Sequence, residues 1–66
     1  MKIGAVDVLL ENLEIMADDN YYPIEDNDDY KLLCYMIEKS NIDEEIDDDD
    51  VKFYVKNILR EIKSYF

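Results

Sequence analysis

The sequence predicts an all-α protein, a small three-helix bundle in an up-down-up arrangement. Apolar residues recur at three- and four-residue spacing in Ile3–Ala17 and Val51–Phe66, which is typical of amphipathic helices. Between them, Tyr30–Ile37 is apolar almost all round, so a helix there needs cover on both faces. The chain has 66 residues, enough for one small acidic domain over 1–66, and its short connections favour antiparallel neighbours.

The first predicted helix carries an acidic face beside its apolar face. Its apolar face comprises Val6, Leu9, Leu10, Leu13 and Met16. Four carboxylates, which we call the acidic row, fall within an arc of about 60° on the polar side: Asp7, Glu11, Glu14 and Asp18. No base lies between them, although surface helices commonly use attractive Glu–Lys pairs at this spacing. The row is therefore either a solvated face or a binding surface. Val8 and Ile15 lie seven apart on a neighbouring strip, and Gly4 weakens the first turn.

The helix ends in an unfavourable way for its dipole. Asp18 and Asp19 stand at the C-terminus, where acids oppose the helix macrodipole, and Asn20 is a suitable C-cap residue. Tyr21 and Tyr22 follow, just before a proline that favours extended backbone. Two adjacent tyrosines cannot both turn into one core, so we expect at least one to be exposed as an interface anchor. The alternative is that one ring caps the small core.

The segment 20–29 reads Asn-Tyr-Tyr-Pro-Ile-Glu-Asp-Asn-Asp-Asp and follows an acidic helix. This pattern resembles the centre of the colicin-type nuclease immunity proteins. In that family, paired tyrosines and carboxylates of the preceding helix bind a basic nuclease and neutralise it. The resemblance implies this role for Tyr21, Tyr22 and the acidic row. The family has four helices with one after the tyrosine segment, whereas this chain has two predicted helices there.

The central helix and the acidic loop after it have recognisable ends. Asn27 or Asp28 is the expected N-cap of the central helix, and Lys39 lies favourably near its C-terminus. Ile42 and Ile46 are spaced i, i+4, which favours a short helical turn that pins the loop to the core. Of the four aspartates 47–50, we assign the last two to the start of the third helix. The first two then remain for a partner.

The last predicted helix is amphipathic and carries most of the bases. Its apolar residues occupy an arc of about 140°. Beside that arc lie four bases, which we call the basic stripe: Lys52, Lys56, Arg60 and Lys63. We expect the stripe to face carboxylates of neighbouring helices and relieve their repulsion. Phe53 lies on the polar side, where it is either an isolated exposed ring or a contact for a partner or a second copy.

Composition excludes several classes of function. The formal net charge of −11 disfavours direct binding to nucleic acid or to an anionic membrane, because both need a basic face. The lone Cys34 cannot form an internal disulfide and suits a reducing compartment, so with no leader segment we expect the cytoplasm. The sequence has no His and one Gly, and its acidic runs do not fit an EF-hand. We expect no catalytic residues, no metal and no cofactor.

These observations predict an inhibitory binding protein, a nucleic-acid mimic whose acidic surface occupies the basic nucleic-acid-binding face of a partner. Anti-CRISPR and anti-restriction proteins of phages, and nuclease immunity proteins, act in this way. The alternative is a small helical adaptor that works through an apolar surface of Phe53, Tyr65 and Phe66, with the acid serving only solubility. We expect a monomer or a weak homodimer. The predicted partner-binding residues are Asp7, Glu11, Glu14, Asp18, Asp19, Tyr21, Tyr22, Glu25, Asp26, Asp47 and Asp48.

Overall fold

The computed structural model describes residues 1–65 and contains three α-helices. They are α1 (Ile3–Asp19), α2 (Asp28–Lys39) and α3 (Asp48–Lys63), with a 3-10 turn at Ile24–Asp26 between α1 and α2. Each helix packs against the other two, and the part of the chain described here forms no β-strand. The predicted all-α three-helix bundle is therefore confirmed. Phe66, which the prediction placed at the end of the last helix, lies outside the described residues.

The core is a single cluster to which all three helices contribute. Its buried side chains are Val6, Leu10, Leu13 and Ala17 from α1, Ile24 from the 3-10 turn, Leu33 from α2, and Val51, Ile58 and Ile62 from α3; Ile3 is also buried but is not part of this cluster. The predicted apolar faces of α1 and α3 thus point inward. Met16 is an exception, because 39% of its surface is exposed although the periodicity placed it on the apolar face of α1.

The prediction that α2 is covered on both faces holds only in part. Leu33 is fully buried and Tyr30 and Cys34 pack partly against the core. On the opposite side Met36 also packs partly against the core, but Leu32 and Tyr35 are 40% and 58% exposed. A bundle of three helices buries one side of each helix and has no further layer to cover the other. The exposed Tyr35 ring instead lies under the Lys39 ammonium, with 5.7 Å between the nitrogen and the ring centroid.

Polar side chains mark both ends of the connection between α1 and α2. Asn20 is the C-cap of α1, as predicted, and its side-chain amide donates to the Met16 carbonyl at 2.8 Å. Asn27 is the N-cap of α2, and its Oδ1 accepts a hydrogen bond from the Tyr30 amide at 2.9 Å. Asp49 and Asp50 lie in the first turn of α3, as predicted for the start of this helix, but the N-cap residue itself is Asp47.

The predicted helical turn over Ile42–Ile46 is absent from the described structure. This loop instead runs antiparallel to the first residues of the chain, because the Ile3 amide donates to the Glu44 carbonyl at 2.9 Å and the Ile46 amide to the Met1 carbonyl at 2.8 Å. These bonds use the backbone groups that a helical turn needs. Ile42 is 70% exposed and does not anchor the loop in the core, whereas Ile46 packs partly against it.

Gly4 has a packing role that the sequence did not suggest. Residue 4 lies inside α1, which begins at Ile3, so the first turn is formed instead of frayed. A Cβ on Gly4 would lie 2.9 Å from Cγ1 of Ile42, closer than ordinary van der Waals contact. The glycine therefore lets the loop pass directly over the start of α1.

The amine of Met1 holds the acidic loop to the start of α3. It donates to the Ile46 carbonyl at 2.8 Å and forms ion pairs with the carboxylates of Glu45, at 3.0 Å, and Asp48. Hydrogen bonds to Asp48 and Glu45 raise the pKa of the amine above its usual 8.0, while the amine lowers the pKa of Asp48 below its usual 3.8. The first helix and the acidic loop are thereby joined by charge as well as by backbone hydrogen bonds.

The basic stripe does not neutralise the carboxylates of neighbouring helices, which corrects the prediction. Its four bases are exposed, and within residues 1–65 the ion pairs closer than 4 Å are those of the Met1 amine. The Arg60 guanidinium donates to the side-chain oxygen of Asn57 and not to a carboxylate. The bases lie on the outer side of α3, so they relieve repulsion only at longer range.

Stability should fall at alkaline pH as the Met1 amine loses its proton. The raised pKa of the amine means that its contribution is complete below about pH 8 and is lost as the pH rises through the folded-state value. Thermal melts from about pH 7 to pH 9.5 should show a falling Tm. Chemical acetylation of the amine serves as the control, because it should lower Tm at neutral pH and flatten this dependence. An acetylated chain with the same alkaline profile would contradict the assignment.

Added salt should stabilise the fold. The net charge is −11 and most carboxylates are exposed without an ion-pair partner among the described residues, so screening removes more repulsion than attraction. We expect Tm to rise between about 0.01 M and 0.2 M NaCl. A Tm that falls over this range would show that attractive pairs dominate the electrostatic energy.

Candidate protein-binding surface

The acidic row lies along the groove between α1 and α2. All four of its side chains are exposed, while the α1 residues that precede them by one position, such as Val6, Leu10 and Leu13, are buried. Asp7 borders a shallow cavity of about 140 Å³ together with Ile37 and Ser40 at the end of α2. Because the residue before each row position is buried in the core, the helix presents the row on a rigid support.

The far end of the acidic row opens into a cleft of about 350 Å³. Its lining residues are Glu14, Ala17, Asp18, Tyr22, Ile24, Glu25 and Tyr30. The structure thus brings together four predicted partner-binding residues that are spread over twelve positions of the chain: Glu14, Asp18, Tyr22 and Glu25. Three carboxylates and two phenol rings around one opening can accept a cationic side chain, which pairs with the acids and contacts the ring faces.

Tyr30 is the member of this cleft that the sequence did not predict. Its position in the apolar central segment indicated a core residue, and it is indeed partly buried. Burial, followed by the neighbouring Cys34 and Glu14, raises the pKa of the Tyr30 hydroxyl above its usual 10. A neutral phenol hydroxyl at this place can donate a hydrogen bond toward the carboxylates of the cleft, such as Glu14.

Tyr21 occupies a strained position directly after α1. Its φ of 57° places it in the left-handed region, which is normally reserved for glycine. The amide of Tyr21 donates to the Asp18 carbonyl and that of Tyr22 to the Ala17 carbonyl, at 3.1 and 2.8 Å. These two bonds make the Schellman motif, which usually has Gly at this position. The motif projects the Tyr21 ring into solvent, where 84% of the residue is exposed. The prediction that at least one tyrosine is exposed is confirmed.

Tyr22 turns in the opposite direction and packs against the protein. Its hydroxyl accepts a hydrogen bond from the side-chain amide of the buried Asn27 at 2.8 Å. Its ring meets the Tyr65 ring edge-on, with 5.2 Å between centroids and an interplanar angle of 86°. Asn27 thus joins the tyrosine segment to the start of α2, and Tyr22 fixes the wall of the cleft while one side of its ring still faces the opening.

The remaining predicted residues lie in different places. Asp19 and Asp26 are exposed near the tyrosine segment, on the last turn of α1 and on the 3-10 turn. Asp47 and Asp48 lie at the start of α3, where Asp47 accepts a hydrogen bond from the Asp49 amide at 2.8 Å and Asp48 pairs with the Met1 amine. Asp47 and Asp48 therefore have structural roles near the N-terminal end of α1. Tyr21 and the cleft lie at its C-terminal end, so these two acids are not part of the cleft.

Two aliphatic side chains accompany the acidic row on its solvent side. Val8 and Ile15 are 56% and 62% exposed, so the strip they form faces solvent. Their seven-residue spacing places them one above the other on the outer face of α1. The face of α1 that a partner would meet is therefore both charged and apolar.

No protein-family model, curated protein or solved structure matches this chain. Within residues 1–65, no group of three or more His, Cys, Asp or Glu side chains is arranged to hold a metal ion. None of the described helices has the length and apolar character needed to cross a membrane.

Replacing Tyr21 by Gly should stabilise the fold. Gly adopts the left-handed conformation without the clash of a Cβ, so we expect a gain of about 1 kcal/mol in the free energy of unfolding. Tyr21→Ala is the matched control, since it removes the same exposed ring but keeps the Cβ, and its stability should stay near that of the native chain. Urea unfolding of the three proteins measures the difference. Equal stabilities for the Gly and Ala variants would argue against strain at this position.

Proposed function

We propose that this chain is an acidic inhibitory binding protein that occupies the basic nucleic-acid-binding surface of a nuclease or another nucleic-acid-binding protein. The observation that carries the proposal is the acidic row, four exposed carboxylates on one side of a rigid helix. No base pairs with any of them among the described residues. A face that needed only solubility could alternate charges and gain from i, i+4 attraction, which this row forgoes.

The spacing of the row suits a surface that binds phosphates. The helix rises about 1.5 Å per residue, so the carboxylates follow one another every 4.5 to 6 Å over about 16 Å. Lys and Arg side chains that hold nucleic-acid backbones are arranged along a groove at comparable intervals and are flexible enough to meet such a row. Opposite charges also speed the encounter between the two proteins.

The cleft and Tyr21 supply the contacts that charge alone lacks. An Arg or Lys side chain of the partner can enter the cleft between Glu14, Asp18 and Glu25, where the two phenol rings shield the ion pairs from water. Tyr21 directly precedes Tyr22, which lines the cleft. Its exposed ring is an aromatic anchor of the type that dominates many interfaces.

The proposed biological setting is defence and counter-defence in microbes. A chain of 66 residues rich in Asp, Asn, Lys, Ile and Tyr is typical of small proteins from AT-rich genomes, including those of phages. Phage anti-CRISPR and anti-restriction inhibitors, and nuclease immunity proteins, are the classes that fit a proposal of this kind. In this setting the partner is a basic protein in the cytoplasm, and neither a membrane nor free nucleic acid is bound.

One observation favours a second candidate function, that of a helical adaptor with an apolar contact surface. Phe53 is 61% exposed on the outer side of α3 and meets the Tyr54 ring edge-on, with 5.6 Å between centroids. Tyr65, the second member of the predicted apolar surface, packs against Tyr22 but stays 46% exposed, and the third, Phe66, lies outside the described residues. The adaptor function therefore rests mainly on Phe53.

Charge reversal at the centre of the acidic row tests the proposed function. We expect Glu11→Lys with Glu14→Lys to leave the fold intact, because both side chains are exposed, and to abolish inhibition of a nuclease that the native chain inhibits. Purified restriction, CRISPR and colicin-type nucleases provide the panel, with cleavage of labelled DNA as the readout. Inhibition by the native chain should weaken steeply as NaCl rises from about 0.05 to 0.5 M.

The control carries the same change in charge at another place. Glu38→Lys with Asp43→Lys also raises the net charge by four, uses two exposed acids, and should leave inhibition nearly unchanged. Equal losses from both double variants would indicate diffuse attraction without a defined row. A partner that holds at high salt and is lost only with Phe53→Ala would contradict the mimic and support the adaptor.

A further inference from the structure

The basic stripe of α3 is a second charged surface with no assigned role. Its four bases are exposed and make no ion pair within 4 Å in the described part of the chain. Lys56, Arg60 and Lys63 surround an open cavity of about 430 Å³ whose floor includes Leu59. Besides the Met1 amine, Lys52 attracts the Asp48 carboxylate from beyond ion-pair distance, and this attraction helps to lower the pKa of Asp48. The four bases therefore keep exposed ammonium and guanidinium groups that can receive carboxylates from outside the molecule.

The acidic row of α1 has the complementary arrangement. Both sets span twelve residues of helix, about 16 Å from first to last at ~1.5 Å per residue. When α1 of one copy runs antiparallel to α3 of another, each of the four acids lies opposite one of the four bases. One alignment of the two helices brings all four pairs to within one residue of direct opposition. The resulting pairs are Asp7 with Lys63, Glu11 with Arg60, Glu14 with Lys56, and Asp18 with Lys52.

Apolar side chains fit the same orientation. Val8 and Ile15 flank the acidic row on its solvent side, and Phe53 flanks the basic stripe. Viewed down each helix at 100° per residue, Val8 and Ile15 lie to one side of the acidic row. Phe53 lies to the same side of the basic stripe, in the same direction of rotation. When the two helices pack antiparallel, these apolar side chains lie on the same side of the helix pair. When the helices pack parallel, they lie on opposite sides. In the antiparallel pair Phe53 lies nearest Ile15, so these two exposed apolar side chains are removed from water together.

We infer that a second copy of this chain docks on the basic stripe, with its α1 acidic row antiparallel to α3. The inference does not depend on the proposed function, but it has a consequence for it, because a docked copy covers an acidic row and competes with any basic partner. The contact is heterologous, so one row and one stripe remain free in the pair. Each further copy adds eleven negative charges, which limits growth beyond the pair.

Ionic strength should affect this association in two opposite ways. The bundle is about 16 to 18 Å across, so the centres of two docked copies lie roughly two Debye lengths apart at physiological salt, where the repulsion between net charges is largely screened. At about 0.01 M salt the Debye length is ~30 Å and the repulsion acts in full. At about 1 M salt the contacting pairs are themselves screened. We therefore expect the strongest association at intermediate salt.

Sedimentation equilibrium of the full chain at about 0.01, 0.15 and 1 M NaCl tests the inference. We expect a weak dimer that is most populated at the middle value. Lys56→Glu with Arg60→Glu, and separately Glu11→Lys with Glu14→Lys, should each weaken self-association about tenfold or more. An equimolar mixture of the two variants should recover a dimer, since the changed row then faces the changed stripe with opposite charge.

The mixture of the two variants, together with a control variant, distinguishes specific row-to-stripe pairing from a general effect of net charge. Lys31→Glu with Lys39→Glu lowers the net charge as much as the α3 variant, but lies on α2 and should retain association. Circular dichroism confirms that each variant is folded. A monomer at all three salt concentrations, or a mixture that stays monomeric, would overturn the inference. Either result would leave the nuclease inhibition assay unaffected, so the two proposals can fail separately.

Discussion

The fold depends on a small apolar core that must outweigh the mutual repulsion of many negative charges. Nine buried apolar side chains form a single cluster, and around it the chain carries eighteen acids against seven bases. Repulsion of this kind opposes compaction at every pH where the carboxylates are ionised. The bases do not relieve it by local pairing, because those of α3 point outward. Burial of this small cluster must therefore outweigh the repulsion, although α1 and α2 leave Ile15 and Leu32 exposed.

The acids divide into those that serve the fold and those that do not. Asp47 caps α3, and Glu45 and Asp48 hold the Met1 amine, so the acidic loop is fastened by its own charge. The acidic row has no base as a partner within 4 Å among the described residues, although it lies on a well-anchored helix of the bundle. One member, Glu14, interacts with the Tyr30 hydroxyl in the cleft. The absence of paired bases along the row favours a function for it over general solubility.

Helix periodicity predicted most of the fold, because an amphipathic helix must place its apolar side on a core whatever its neighbours are. It failed where long-range backbone pairing decides the structure. The loop near Ile42 pairs with the first residues of the chain, and no local pattern reports on hydrogen bonds between segments more than forty residues apart. The candidate site was predicted in part: the row follows from spacing along one helix. The cleft needed Tyr30, which joins it only through the packing of α2 against α1.

The end of α1 shows most clearly that stability is not the only requirement on this sequence. A helix end made for stability has Lys or Arg in its last turn and Gly in the left-handed position. Here the last turn has no base, Asp18 and Asp19 oppose the dipole, and Tyr21 takes the glycine position. The dipole terms cost about 0.3 to 1 kcal/mol each and the left-handed tyrosine about 1 to 2 kcal/mol. Local rules broken together at one place are characteristic of functional sites. Because these departures leave acid and an aromatic ring exposed beside the cleft, they support a site that binds a cationic partner.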